Sequence, residues 1–171
     1  MTKIKTKRER IKFASDNVTG ACPEVLDAVL KANDEDRTPY GNDELSKNLQ
    51  NKFSEIFEKE VIVFPTASGT AANALALSTM TPSFGNIYCH RLSHINVDEC
   101  GAPEFYTGGA KLVNLNGNNG KIVAEDLDNN ITGKGIVHHT QPSPESITQL
   151  WETGGAYQLA DIKKISPPAH K

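Results

Sequence analysis

The sequence lacks the features that mark several classes of protein. It has only three cysteines in 171 residues, Cys22, Cys89 and Cys100, and no CxxC pair. An odd and small number of cysteines argues against a disulfide scaffold and is typical of proteins in a reducing compartment. No apolar run approaches the length of a membrane span. We therefore expect a cytoplasmic protein without a membrane partner.

Clustered positive charge is also scarce. The formal net charge is −3 and the pI is about 5.9, so there is no broad positive field to attract nucleic acid or anionic lipid. The exception is a basic N-terminal tail, residues 1–12, which lacks the apolar core of a signal peptide. We interpret this tail as a solvated, frayed terminus; a targeting or polyanion-binding segment is the alternative.

Hydrophobic periodicity in residues 13–171 indicates one layered α/β domain. Helical spacing begins at Pro23, and a polar loop over residues 33–43 carries Tyr40. The next elements predicted are a helix over residues 45–57, a strand over 61–64 and an Ala-rich helix ending near Met80.

Beyond Pro82, short apolar runs alternate with helical or loop segments, which favours a mostly parallel sheet. Strands are predicted over residues 86–88, 111–114, 135–139 and 146–150. Helices are predicted over residues 124–130 and 159–165, and Pro167-Pro168 is expected to interrupt the second.

The junction after residues 61–64 is the first candidate site. A β-branched run breaks at Pro65 and opens through Ser68, Gly69 and Thr70 into the Ala-rich helix. Free backbone N–H groups and the positive end of a helix dipole meet there, which suits a phosphate-bearing ligand. An ordinary N-cap is the alternative interpretation.

A cluster of potential metal ligands follows the first strand beyond Pro82. If the segment is helical, His90 and His94 share one face, near Cys89, Asp98, Glu99 and Cys100. Structural zinc sites usually show paired short spacings, and no second half is present, so we expect no metal.

A third polar group follows the last predicted strand: Gln149, Glu152, Thr153, Gly154 and Gly155. The carboxyl ends of strands in open α/β sheets are where ligands bind. A plain loop between a strand and a helix explains the same residues equally well.

In this order and spacing, the motifs resemble the first half of the threonine aldolases and related β-eliminating lyases. These are pyridoxal-phosphate enzymes of the aminotransferase-like fold. The matching segments are 13–19 (FASDNVT), 40–43 (YGND), 64–73 (FPTASGTAAN), 94–105 (HINVDECGAPEF), 146–149 (SITQ) and 152–157 (ETGGAY).

The resemblance implies a fold, a reaction and site residues. The fold would be part of a three-layer α/β/α large domain, and the reaction would be cleavage of threonine or a related β-hydroxy-α-amino acid to glycine and an aldehyde. Ser68, Gly69 and Thr70 would bind the cofactor phosphate, while His94 would stack on the pyridine ring and assist proton transfer. Three residues would contact the amino acid substrate: Ser15, Tyr40 and Glu99.

The resemblance also implies what these 171 residues lack. The family's Schiff-base lysine, the Asp that pairs with the pyridine nitrogen and a nearby Arg belong to its other half, so the chain alone is expected to be inactive. Trp151 stands where a small polar residue is usual in the family. A complete protein would be a homodimer or homotetramer. The alternative is a non-catalytic or split half-domain that binds a phosphate ligand or a complementing chain.

Overall fold

The computed structural model describes residues 18–34, 36–151 and 153–169, with side chains as far as residue 166. The chain forms two compact units, an N-terminal unit ending at Val63 and a C-terminal unit beginning at Phe64. The basic tail and Ser15 lie outside the described residues. Within the described ranges, no helix combines the length and the apolar character needed to cross a bilayer.

The described residues of the N-terminal unit form two helices, α1 (Pro23–Ala32) and α2 (Glu44–Ile56). Proline opens α1, and Asp43 caps α2 by accepting hydrogen bonds from the Ser46 hydroxyl at 2.7 Å and the Ser46 N–H at 2.9 Å. These two bonds lower the pKa of Asp43. Both helices and the intervening loop, with Tyr40 in the left-handed region at φ 63°, agree with the sequence prediction.

The predicted strand over residues 61–64 is wrong. No described strand pairs with this segment; instead the side-chain amide of Gln50 takes the place of one. Gln50 Oε1 accepts from the Val63 N–H at 2.8 Å, and Gln50 Nε2 donates to the Val63 carbonyl at 3.0 Å. The Val63 N–H and carbonyl are therefore paired by a side chain of α2. Backbone polar groups that are shielded from water need a hydrogen-bond partner, which a side chain can supply.

The C-terminal unit is a parallel α/β structure. Its three strands lie in the order β2-β1-β3, and both pairings are parallel, which confirms the predicted α/β class with its parallel sheet. The elements are α3 (Gly69–Met80), β1 (Gly85–His90), α4 (His94–Val97), α5 (Ala102–Tyr106), β2 (Lys111–Leu115), α6 (Ala124–Asn130), β3 (Gln141–Ser146) and α7 (Leu159–Ala169).

The central strand β1 divides the hydrophobic core into two clusters. Ile87 and Cys89 point to one face, with Leu77 of α3 and Ile95 of α4. Tyr88 points to the other face, which α6 and α7 cover. Alternate strand residues face opposite sides of a sheet, so one strand can anchor both helical layers. The result is the three-layer arrangement that the resemblance implied.

The third strand is not where the sequence predicted it. The segments 135–139 and 146–150 are not strands, whereas Gln141–Ser146 is β3, despite Pro142 and Pro144. Proline cannot donate to a ladder, but it is accepted in a strand paired along one side only. The turn before β3 is held by Gln141, whose amide donates to the carbonyls of Gly133 at 3.0 Å and His139 at 2.9 Å.

The predicted interruption of the last helix at Pro167-Pro168 is also wrong. Helix α7 extends to Ala169, so both prolines lie in its final turn. A proline inside a helix removes the hydrogen bond to the carbonyl four residues earlier and clashes with that turn, so the two prolines weaken the end of α7 without ending the helix before Ala169. The remaining predicted helices, over residues 124–130 and from Leu159, are confirmed.

The core position of Cys89 leads to a prediction about thiol chemistry. Burial raises the pKa of Cys89, whereas Cys22 and Cys100 are exposed. The thiolate is the reactive form, so we expect iodoacetamide at pH 8 to label Cys22 and Cys100 but not Cys89 in the native protein. Peptide mass mapping would show this. In denaturant all three should react, and labelling of native Cys89 at the rate of the other two would contradict the packing described.

Candidate functional site

A pocket of about 510 Å³ lies in the C-terminal unit, at the carboxyl edge of the sheet. Three segments build it: the start of α3, the chain after β1, and the chain after β3. Ligands bind at this edge in open α/β sheets, since the strand ends leave a crevice there. The lining residues are Gly69, Asn73, His94, Ile95, Glu99 and residues 146–151.

The N-terminus of α3 presents backbone donors to this pocket. Ser68 is the N-cap, and its hydroxyl oxygen accepts from the Ala71 N–H at 3.1 Å. The N–H groups of Gly69 and Thr70 have no acceptor within the helix, because the first turn of an α-helix leaves its donors unpaired. A Cβ added at Gly69 would meet no heavy atom within 4 Å, so the space above these donors is open.

Glu99 joins two other side chains that line the pocket. Its Oε1 atom lies 2.8 Å from His94 Nδ1 and 2.7 Å from Asn73 Nδ2, which donates to it. His94 begins α4, and Glu99 lies in the link between α4 and α5, where Cys100 and Gly101 both adopt positive φ. These two left-handed residues reverse the direction of the chain next to Glu99, whose side chain is buried.

The Glu99 carboxyl group is buried, whereas the His94 ring is accessible. The side chain of Glu99 is 0% exposed and that of His94 is 50% exposed. Glu99 Oε2 is also buried, without a hydrogen-bond partner among the described residues. Burying a carboxyl group is unfavourable unless it is hydrogen-bonded, so its contacts with Asn73 and His94 have to offset that penalty.

Trp151 forms one wall of the pocket. Its indole packs edge-to-face on Tyr157, with ring centroids 4.9 Å apart, and it covers Gly120 and Gly155. Gln149 closes the loop between these aromatic residues: it accepts from the Tyr157 N–H at 2.8 Å and donates to the Tyr157 carbonyl at 3.1 Å. The wall is therefore rigidly tied to the loop that leads into α7.

Comparison with known proteins decides the family. The profile of the family described as "Beta-eliminating lyase" matches residues 12–171. The chain belongs to the beta-eliminating lyase family. The resemblance seen in its motifs is thereby confirmed.

This member of the beta-eliminating lyase family is similar to low specificity L-threonine aldolases. The one from Pseudomonas sp. (strain NCIMB 10558) is 37% identical over 154 residues, and the one from Pseudomonas aeruginosa is 35% identical over 154 residues. Both alignments cover 90% of this chain and 44% of the relative. The chain thus spans less than half the length of these relatives.

A solved structure agrees on the fold. The chain superimposes on a threonine aldolase from Leishmania major with a TM-score of 0.82 and 24% identity, over 90% of this chain and 44% of that one. The parallel sheet with helices on both faces is therefore part of the same fold.

The lyase fold brings together three of the predicted site residues. Gly69, His94 and Glu99 all line the large pocket. Ser68 and Thr70 line a second cavity of about 390 Å³, together with Leu75 and Tyr106. Gly69 lies between these two residues in the sequence, so the first turn of α3 borders both cavities.

The other two predicted residues are Tyr40 and Ser15. Tyr40 belongs to the N-terminal unit, where its side chain is 97% exposed. Ser15 lies outside the described residues.

The premise of the zinc alternative is wrong. His90 ends β1 and His94 begins α4, so the two do not share a helix face. His90 is buried: its Nδ1 atom accepts from the Leu92 N–H at 3.1 Å and its Nε2 atom lies 3.3 Å from the Gly117 carbonyl oxygen. In the described part of the chain, no three His, Cys, Asp or Glu residues are grouped to hold a metal ion.

The third polar group is mostly part of a loop. Gln149 lines the pocket, but its amide is bonded to the Tyr157 backbone, and the Thr153 hydroxyl donates to the Asn119 carbonyl at 2.7 Å. Gly155 gives room for Trp151, and Gly154 turns with φ 82°. Glu152 is outside the described residues.

Sequence reasoning missed several pocket residues, among them Asn73 and Ser146. Both stood inside the motifs that carry the resemblance, yet neither was given a role. Asn73 in a helix is a weak signal by itself, because an asparagine there is usually a solvated residue. Only its contact with Glu99, 26 positions along the chain, distinguishes it.

The wall formed by Trp151 makes Gly155 sensitive to substitution. A Cβ at Gly155 would overlap the indole ring, so we expect Gly155→Ala to lower the free energy of unfolding by about 1–3 kcal/mol through overpacking. Gly69→Ala is the matched control for stability, since open space surrounds that position. Chemical denaturation followed by circular dichroism measures both. Equal stability of the two variants would refute the packing of Trp151 against Gly155.

Proposed function

We propose that these residues form part of a pyridoxal-phosphate-dependent carbon–carbon lyase. It cleaves threonine or a related β-hydroxy-α-amino acid to glycine and an aldehyde. The observation that supports this most is the pocket at the carboxyl edge of the sheet, where the N-terminus of α3 meets His94 and Glu99. Similarity to L-threonine aldolases favours this substrate class over others handled by the same family.

The residues present fit a phosphate-bearing aromatic cofactor. The N–H groups of Gly69 and Thr70 and the helix dipole favour an anion, and open space lies above Gly69. The Ser68 hydroxyl accepts from Ala71 and keeps its own proton to donate. We assign Ser68, Gly69 and Thr70 to the phosphate and the accessible His94 ring to the pyridine face.

The chemistry that the bound cofactor supplies is an electron sink for the carbanion left by carbon–carbon cleavage. The protein's own part is to orient the substrate and to move the hydroxyl proton. We assign the acceptance of that proton to His94, whose ring is accessible in the pocket beside the buried Glu99. Tyr40 and Ser15 are assigned to the substrate side, and Glu99 to the pocket wall beside His94.

Catalysis on this proposal needs residues beyond these 171. None of the lysines here stands in the family's lysine motif, so we assign none of them as the covalent anchor. The chain also covers only 44% of the similar threonine aldolases. We further propose that the enzyme is cytoplasmic and that the complete protein assembles as a homodimer or homotetramer. Light scattering on the complete gene product would measure its oligomeric state.

Cofactor binding can be followed through the single tryptophan. Trp151 lines the pocket, so pyridoxal phosphate added to the 171-residue chain should quench its fluorescence. Thr70→Val removes one hydroxyl and should weaken binding by about tenfold, the effect of one hydrogen bond to a charged group. Thr79→Val, on the same helix with its hydroxyl bonded to Ala76, should bind as the wild type does. Identical affinities for all three proteins would exclude Thr70 from the phosphate site.

The reaction is tested with threonine and the complete gene product. We expect glycine and acetaldehyde from it, and a rate about 10²–10⁴-fold lower for His94→Asn, the usual contribution of a positioned general base. The 171-residue chain assayed alone should give no turnover. Turnover by that chain would overturn the assignment of the anchor to residues beyond it. A complete product that binds pyridoxal phosphate but leaves threonine intact would favour the split or non-catalytic half-domain instead.

A further inference from the structure

Asn73 carries a contact that the proposed reaction does not yet use. Its side-chain amide donates at 2.7 Å to the same oxygen of Glu99 that lies 2.8 Å from His94 Nδ1. We infer that Asn73 is a positioning residue: it holds the Glu99 carboxylate where it fixes the His94 ring in the Nδ1–H tautomer. This inference rests on the proposed function of His94.

The direction of the hydrogen bonds follows from the chemistry of the three groups. The inference takes Glu99 in its ionised form, in which its oxygens only accept, so the contact at His94 Nδ1 requires a proton on that nitrogen. A neutral imidazole carries one proton, which makes Nε2 the acceptor. This is the form that can take a proton from a substrate hydroxyl.

The burial of Glu99 explains why an anchor is needed. Its side chain is 0% exposed and Oε2 has no partner among the described residues, so both donors to the carboxylate are on Oε1. Without Asn73, only His94 would donate to a buried carboxylate, and His94 is half exposed and begins a helix of four residues. Asn73 lies on the twelve-residue helix α3, which packs against α5 and gives a firmer base.

The contact with Glu99 is compatible with proton transfer at the other ring nitrogen. Once Nε2 has accepted a proton, Nδ1 still carries the proton that it donates to Glu99 Oε1 at 2.8 Å. An acidic side chain that orients a histidine and stabilises its charged form is a recurring device in proton-transfer sites. Here Asn73 belongs to that device through Glu99, without touching the reacting atoms.

Solid-state ¹⁵N NMR of the histidine-labelled complete gene product tests the inference. The His94 signals are assigned by their absence from His94→Gln. In the wild type we expect the Nδ1–H form to predominate at a pH where His94 is neutral. In Asn73→Ala the ratio of Nδ1–H to Nε2–H should fall by about tenfold, the effect of losing one hydrogen bond to a charged group.

Two further variants separate positioning from general damage. Asn73→Asp has the same shape but cannot donate when ionised, so it should lower the ratio as Asn73→Ala does. Ser78→Ala, on the same helix with its hydroxyl bonded to Leu75, should leave the ratio unchanged. A wild-type ring mainly in the Nε2–H form would overturn the inference even if a variant failed to fold. A folded Asn73→Ala or Asn73→Asp variant that keeps the wild-type ratio of Nδ1–H to Nε2–H would also overturn the inference.

The tautomer is read without substrate and so is independent of turnover. A wild-type ring in the Nδ1–H form and a lowered ratio in Asn73→Ala, in a complete gene product that does not cleave threonine, would contradict the proposed function and leave the positioning role intact. An altered ratio in Asn73→Ala should accompany a lower kcat with little change in KM, because proton transfer rather than binding is affected. A raised KM with unchanged kcat would show that Asn73 serves substrate binding.

Discussion

The C-terminal unit depends on one strand, β1, being buried on both faces. Ile87 and Cys89 are 0% exposed and Tyr88 is 1% exposed, and they point alternately to the two hydrophobic clusters. Pairing with β2 and β3 on its two edges holds this strand in register, so both helical layers are located relative to it. The segment that leaves its carboxyl end carries His94 and Glu99, and the position of the site therefore follows from the position of β1.

The site adds a polar constraint to this apolar framework. A buried carboxyl group at Glu99 is tolerated only with hydrogen-bond partners nearby, and those partners come from two elements, Asn73 on α3 and His94 on α4. The same contacts that satisfy Glu99 tie α3 to the chain after β1. On our proposal, one helix serves both parts of the site: the N-terminus of α3 binds the phosphate, and Asn73 of α3 holds Glu99 beside the histidine.

Glutamine side chains complete the fold where regular secondary structure ends. Gln50 pairs with the backbone of Val63, Gln141 holds the turn before β3, and Gln149 pairs with the backbone of Tyr157. Each supplies a donor and an acceptor, as a peptide group would. The apolar run over residues 61–64 was wrongly predicted to be a strand. A glutamine side chain that takes the place of a neighbouring strand leaves no periodic signal in the sequence. The strand β3 was missed because of its prolines. Proline is unfavourable in most strands but is permitted where one edge is unpaired.

The sequence by itself determined the family, most of the helices, two of the three strands and the residues Gly69, His94 and Glu99, because local periodicity and short motifs are written along the chain. Tertiary structure alone decided that Asn73 meets Glu99, that Ser68 and Thr70 flank a different cavity from Gly69, and that Trp151 forms a wall. The physical reason is distance along the chain. Periodicity shows which face of an element is buried, but only the packing of the layers determines which distant side chain that face meets.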